Sequence, residues 1–569
     1  MARPAVRHTV DFNRVANLPR RRLDPVDAKA WAHVLTPLLV ADGSGESLRP
    51  WQAMSLVEIA EHPCGAVLGL PVGIGKTLIA YLSEAVCKAE RPIMIMAATL
   101  VDKTWDDFGK LATQWKQPRN PFNILTRESL ALEPNHGLLE SIQPDLIYLE
   151  EADEFANWES AACQVIDRYV MSARAAGRTI KVIAGTGTLV RKSIMAMWHI
   201  FRWCLGEDGS PMPKDRYEAQ RWSQALDEQT REPINRPSPG PLGPNRREAL
   251  RWYHDRVLET PGIVIIDEDS CNAALTIRTR LAREDEVLDQ VYKDFSKYSK
   301  TPGGLYVTDP LSRWTLDAFL GCGLYNRYVE QPPEEWREAN RAKSKFVRDR
   351  IYQTRHARRP MLTEGQVLRH HASHPIVEAW REIKDTFDPV TETIWFSRST
   401  IDSVEDWLEE LDLPGQGIIW TGSVDFGQAL AKETGLEYYG AGGQCAAGHG
   451  LHEAPPGKSF VASWNANKRG FNLQAWPRQL WIHPPQSAKW LEQGFGRSHR
   501  SGQMVDVVID ILLTSGGTID AFEAAVREAR FAKSSHALTQ KILRANIVRA
   551  TPKITPSNRF RWASRSDRD

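Results

Sequence analysis

Short apolar runs alternate along the chain with longer stretches whose apolar residues recur at helical spacing, and the alternation occurs twice. In the first half, residues 66–68, 92–98, 145–149 and 179–184 read as buried strands, with helical segments at 78–86 and 100–115. In the second half, 393–396, 417–420, 460–463, 479–482 and 507–512 read the same way. Ile401, Val404, Trp407, Leu408 and Leu411 trace one helical face between them. Strands separated by helices predict an α/β fold with parallel sheets, in which ligand groups gather beyond the carboxyl ends of the strands.

The halves are separated by a stretch of different character. Residues 205–260 are broken by seven prolines (211, 213, 233, 237, 239, 241 and 244) with arginines between them, and 283–375 read as mainly helical. The expected organisation is a basic arm and helix over 1–45, a first α/β unit over 46–205, a Pro-rich connector and helical insertion over 206–375, a second α/β unit over 376–535, and a C-terminal helix with a basic tail over 536–569. The arm, with Arg20-Arg21-Arg22, is expected to be loose. Basic residues crowd 337–359, which reads either as a solvated helix face or as a contact for nucleic-acid phosphate. His370, His371 and His374 lack a partner at metal-ligand spacing, and 440–457, with Cys445, His449 and His452, reads as a glycine-rich loop.

Composition narrows the partners. The 569 residues carry 72 basic and 71 acidic side chains, a net +1, so polyanion binding has to come from local patches. The seven cysteines are scattered without a Cys-x-x-Cys pair, as expected of reduced thiols in the cytoplasm. No signal-peptide pattern and no apolar run of membrane-spanning length occurs, so no membrane partner is expected.

The candidate chemistry lies where predicted strands end. Gly73-Ile74-Gly75-Lys76-Thr77 follows a strand and opens a helix. A glycine turn there aims backbone N–H groups at an anion, Lys76 adds charge for β- and γ-phosphates, and Thr77 offers a hydroxyl to Mg²⁺. Leu70 stands where the strict pattern has its first glycine. Glu150-Glu151 ends another strand, placed to hold a phosphate-bound Mg²⁺ and to polarise water. Gln52, ahead of the turn, can read an adenine edge. If 490–500 is helical, Gln493, Arg497 and Arg500 fall at i, i+4 and i+7 on one face, suited to stabilising phosphoryl-transfer charge.

In this order the residues resemble a superfamily-two helicase of the Swi/Snf-type DNA translocase branch, in particular its compact bacteriophage and prophage versions. Leu48-Arg49-Pro50-Trp51-Gln52 is similar to the family's adenine-reading motif, and Val72 through Thr77 to its Met-Gly-Leu-Gly-Lys-Thr. Residues 97–100 with Trp105 are similar to motif Ia, and Glu150-Glu151-Ala152-Asp153 occupies the Asp-Glu-x-His position. Gly185-Thr186, with Trp198 downstream, falls in motif III. Phe396-Ser397 resembles motif IV, Gly470-Phe471-Asn472-Leu473-Gln474 motif V, and Gln493 through Gln503 motif VI. Glu150, Asp153, Ala184 and Gly187 depart from the family's usual residues.

The resemblance implies two RecA-like lobes joined by the insertion, with ATP and Mg²⁺ as cofactors. It implies DNA, held mainly by its phosphates, as partner. It places Gln52, Gly73–Thr77 and Gly470 at the nucleotide, Thr77 and Glu150 at Mg²⁺, and Glu151, Gln493, Arg497 and Arg500 in catalysis. Thr99, Thr186 and Asn472 fall at the nucleic acid. The implied activity is ATP-driven movement on duplex DNA in phage replication, recombination or repair. An RNA-directed helicase and a slowly hydrolysing nucleotide-dependent clamp are the alternatives.

Overall fold

A computed structural model describes residues 5–550 apart from 72, 190–191, 229–235, 270, 355–360, 362, 414 and 468–470. The chain divides into two compact units. One comprises Met1–Ala274, Ser487–Met504 and Ala525–Arg544, and the other comprises Leu275–Gln486, Val505–Ala524 and Ala545–Asp569.

The first unit is built on six parallel strands in the order β3-β2-β4-β5-β1-β6: β1 Gly65–Gly69, β2 Pro92–Met96, β3 Asn123–Thr126, β4 Leu146–Glu150, β5 Lys181–Thr186 and β6 Ile263–Ile265. Alternate side chains bury on opposite faces. Val67, Ile93, Ile95, Ile147, Leu149 and Val182 join the helix Ala161–Ala175 on one side. Ala66, Leu68, Met94, Met96, Tyr148 and Ile183 join the helices Pro50–Glu61 and Lys76–Cys87 on the other. Each fully buried Leu or Ile contributes about 1.5–3 kcal/mol, so two such layers hold the sheet edge firmly in register.

The second unit has seven parallel strands in the order β11-β12-β10-β13-β14-β7-β15: β7 Leu275–Leu281, β10 Gly417–Thr421, β11 Glu437–Tyr439, β12 Phe460–Ser463, β13 Arg478–Trp481, β14 Val507–Leu513 and β15 Asn546–Val548. A separate antiparallel pair, β8 Leu324–Tyr328 with β9 Thr391–Trp395, lies outside that sheet. The expected helical face is seen in Ser399–Glu409, where Ile401, Val404 and Trp407 bury. The fold is therefore α/β with two parallel sheets, consistent with two RecA-like lobes. Among the described residues no helix is long and apolar enough to cross a membrane.

Several boundaries differ from the sequence expectation. The stretch 206–375 is not merely a connector and helical insertion, because β6 completes the first sheet and β7 enters the interior of the second. Pro233 lies outside the described residues, and the other prolines flank or lie in turns between helices that pack: Met212, Trp222, Leu226 and Leu242 are in the first core. The N-terminal arm is not loose. Phe12 and Val15 bury, Arg20 and Arg22 pair with Glu259 at 2.6 and 3.2 Å, and Arg21 pairs with Glu58. The tail from 551 onward lies outside the described residues.

Candidate functional site

Strand register brings three chain turns to one edge of the first sheet. Gly69 at the end of β1 aligns with Thr186 of β5, and Glu150 at the end of β4 aligns with Gly185. The phosphate-loop candidate, the acidic pair and the Gly185-Thr186 turn are thus consecutive along the carboxyl edge. Ligands bind at that edge in open parallel sheets.

The turn after β1 is held by its own chemistry. Leu70 is fully buried in the core, and its backbone N–H continues the ladder to Thr186 O at 3.0 Å. The side chain that departs from the glycine pattern is therefore a core side chain at the strand end. Its carbonyl is still used: Lys76 Nζ donates to Leu70 O at 3.0 Å and more weakly to Pro71 O at 3.5 Å. Gly75 caps the helix Lys76–Cys87 at φ 94°, and a Cβ there would lie 2.4 Å from Gln52 Nε2. Only glycine satisfies both the left-handed backbone and that close approach. Leu78 and Ile79 donate back to Gly75 O at 3.1 and 3.3 Å, so helical pairing starts there. The preceding amides stand at the positive end of the helix dipole, beside the Lys76 ammonium.

Gln52 braces this turn. Its Nε2 donates to Ile74 O at 2.9 Å and its Oε1 accepts from Arg49 N at 2.9 Å. Both ends of the amide are engaged in holding the loop, which leaves one N–H and one lone pair for an adenine edge.

Glu150 is the most perturbed acid of the edge. Its Oε2 is sealed from solvent and has no hydrogen-bond partner. Burial and then the neighbouring Glu151 push the carboxyl from 4.5 up to about 7, against the opposing pull of Lys76 and Lys103. Glu151 occupies the left-handed region at φ 50°, ψ 58°, a conformation that costs a non-glycine residue about 1–3 kcal/mol. Its carbonyl accepts from Glu154 N at 2.8 Å, closing the short 3-10 turn Ala152–Phe155. An orphaned carboxylate oxygen within the field of Lys76 fits a divalent cation carried with a triphosphate, for which Glu150 and the Thr77 hydroxyl at the start of the next helix are the protein ligand candidates. Among the described residues no group of three His, Cys, Asp or Glu forms a metal cage, so phosphate and water oxygens would complete the shell.

Lys489, Glu154, Arg127 and Glu128, which the sequence reading did not single out, tie the edge together. Lys489 is fully buried and pairs with both Asp153 and, at 2.5 Å, Glu154. Asp153 accepts from Thr186 Oγ1 at 2.9 Å, and Glu154 pairs with Arg127 at 2.7 Å. Arg127 in turn holds Glu128 at 2.7 Å, whose other oxygen accepts from Ala98 N at 3.0 Å. One turn after Lys489, on the same helical face, stands Gln493, itself buried, with an Oε1 that has no hydrogen-bond partner. The lysine was detectable as the i−4 neighbour of Gln493, but nothing local links it to Asp153 and Glu154.

No family model matches the chain, and no curated protein matches it.

Several expected positions change meaning. Thr186, which the resemblance puts at the nucleic acid, is fully buried and its hydroxyl donates to Asp153. Arg500 is not on the helical face with Gln493 and Arg497, because the helix Ala488–Ser498 stops at His499 (φ −90°, ψ 86°). His499 is held there by Ala273 O at 2.8 Å and Lys541 at 3.1 Å. Arg500 is half-buried beyond the helix, where burial lowers its guanidinium pKa against the opposing pull of Asp107. Arg497 keeps the i+4 relation to Gln493. Thr99 is exposed on the turn after β2, Asn472 is exposed in the second unit, and Gly470 lies outside the described residues.

Proposed function

We propose that the chain is an ATP-hydrolysing nucleic-acid motor of the superfamily-two, Swi/Snf-like type. The observation that carries the reading is the convergence at one sheet edge of the Lys76 turn and the orphaned Glu150 carboxylate beside the strained Glu151. In this reading the amides of the turn and Lys76 bind the β- and γ-phosphates, and Gln52 keeps the turn in shape. Glu150 and Thr77 hold Mg²⁺, which when bound neutralises charge on the phosphate oxygens. Glu151 accepts the proton of the attacking water, Gln493 Oε1 accepts a hydrogen bond that orients it, and Arg497 stabilises charge on the transferring group. Nucleic acid is held mainly through its phosphates, with little sequence preference, and DNA is the substrate the resemblance favours.

A second reading, a clamp that binds ATP and turns over slowly, draws on Glu150. A carboxyl pushed up to about 7 is half-protonated at neutral pH and gives up part of its hold on a cation. Hydrolysis measured alone, with duplex DNA, with single-stranded DNA and with RNA separates these readings. DNA-stimulated turnover that Lys76→Ala and Glu151→Gln both abolish supports the motor, and RNA-only stimulation redirects it to RNA. Binding without turnover favours the clamp. Undiminished hydrolysis in Lys76→Ala overturns the site.

A further inference from the structure

In the second unit, the 21-residue helix Glu334–Thr354 buries one face and leaves a row of cations on another. Phe346 and Val347 pack with Val367 and Val377 of the helices Glu364–His370 and Pro375–Ile383, and Trp336 meets Trp380 of the latter edge-on at 5.2 Å. That packing fixes the helix's rotation. Arg337, Arg341 and Lys345, at i, i+4 and i+8, are all exposed. At ~1.5 Å rise per residue they form a row about 12 Å long, drifting only about 40° around the axis per step.

The other cations of this helix are occupied. Lys343 is buried, pairs with Glu364 at 2.8 Å and lies over the Trp380 ring. Arg348 donates to Val307 O at 3.0 Å, and Arg350 to Gln353 at 2.8 Å. Arg337, Arg341 and Lys345 make no ion pair and no side-chain hydrogen bond among the described residues. Glu338 and Asp349 stand within one turn of the row without pairing to it. Like charges at i, i+4 destabilise a helix by a few tenths of a kcal/mol per pair, and this helix carries two such pairs in succession. Some surface arginines elsewhere close onto carboxylates, as in Arg283 with Asp406, Arg327 with Glu392 and Arg398 with Glu433, whereas others, such as Arg247 and Arg251, have no ion pair among the described residues.

We infer that Arg337, Arg341 and Lys345 form a contact for the phosphate backbone of nucleic acid, on a helical element outside both parallel sheets. Three long cations at one-turn spacing complement a polyanion with regularly repeated charge, and they carry no donor–acceptor pattern that would read bases. The choice of nucleic acid over other polyanions rests on the proposed function. The contact itself is independent of ATP chemistry.

The test is equilibrium binding of a fluorescein-labelled DNA duplex to the full chain, without nucleotide, across a salt series. Each neutralised phosphate contributes about 0.9 to the log–log salt slope. The variant R337A/R341A/K345A should therefore lose about 2–3 of that slope, so that wild-type affinity falls about 40-fold more steeply between about 50 and about 200 mM salt. The charge-preserving variant R337K/R341K/K345R should keep the wild-type slope, and an RNA duplex run in parallel identifies which backbone the row holds. An unchanged slope in R337A/R341A/K345A overturns the inference while leaving the ATPase reading intact. Row-dependent binding to anionic lipid vesicles with none to either duplex overturns the choice of partner. A wild-type chain that binds neither duplex overturns the row and the nucleic-acid half of the proposed function together, whereas loss of hydrolysis in Lys76→Ala is scored separately.

Discussion

Glu150 and Asp510 are both acids in the parallel strands of a buried sheet, and their surroundings differ sharply. Asp510, in β14, is fully buried and accepts from Arg278 at 2.9 and 2.7 Å and from Trp407 Nε1 at 2.9 Å. Its neighbours in the second sheet are treated alike. Gln479 accepts from Trp420 and Trp481 at 3.2 and 3.0 Å. His483, its pKa lowered by burial to about 4, sits between Cys322, Ala318 O and Gly422 N. Glu150, ending β4, has an oxygen with no partner and a carboxyl pushed up to about 7, and Glu151 beside it holds a left-handed backbone. Asp510 and Gln479 in the second sheet are fully partnered, whereas Glu150 at the carboxyl edge of the first keeps an unpartnered carboxylate oxygen. Unsatisfied groups persist in a fold where a ligand completes them. The difference separates polar residues that stabilise from polar residues held ready for chemistry, although both sit in the same kind of sheet.

The comparison breaks most visibly at the edge of the first sheet. Glu151→Gln should lower hydrolysis ~10²–10⁴-fold while nucleotide binding and the thermal midpoint persist, because it removes a proton acceptor and no packing. A parallel fall in affinity and midpoint would make Glu151 structural.

Asp510→Ala should do the reverse. It leaves the buried Trp407 N–H without its acceptor, while the exposed Arg278 is rehydrated, and should cost about 1–3 kcal/mol in urea unfolding with nucleotide affinity unchanged in the folded fraction. Lys489→Met combines both outcomes. It leaves buried Asp153 without its counter-ion and Glu154 with Arg127 alone, with a loss of about 3 kcal/mol, and the surviving folded protein should also turn over more slowly. Adding Asp153→Asn should recover part of the stability.

Glu150→Gln sharpens the contrast through its sign. The folded pKa lies above the unfolded one, so between about 4.5 and about 7 the unfolded chain releases a proton that the folded chain retains, and wild-type stability falls as pH rises through that window. The glutamine variant lacks this loss. Unfolding measured on either side of the window should show no advantage at the acid end and a gain approaching about 3 kcal/mol above it, with Mg²⁺-dependent nucleotide affinity reduced throughout. The smallest effect is Gly75→Ala, expected to cost about 1 kcal/mol from the positive φ, plus displacement of Gln52.

What the sequence reveals of this site follows from locality. The Lys76 turn and Glu150-Glu151 are readable because strand, turn and helix are contiguous and the turn chemistry is local. Gln493 and Arg497 are readable from helical spacing. Arg500 is not, because its helix is ended by contacts from His499 to Ala273 and Lys541, which are distant in sequence. Thr186 is placed correctly at the strand end but misread in role, since pattern alone does not say whether a hydroxyl faces solvent or Asp153. The pairing of Lys489 with Glu154 spans 335 residues and leaves no periodic signal. The α/β class shows in the apolar runs, while β6 and β7 are masked by the proline-rich and polar composition around them.

The most direct measurement is calorimetric titration of the full chain with Mg²⁺ and a non-hydrolysable ATP analogue, comparing wild type with Lys76→Ala. The account predicts one site per chain in the wild type, weakened at least about tenfold in Lys76→Ala for the loss of a charge-assisted phosphate contact of ~1.5–3 kcal/mol. Equal binding by the two proteins would contradict it.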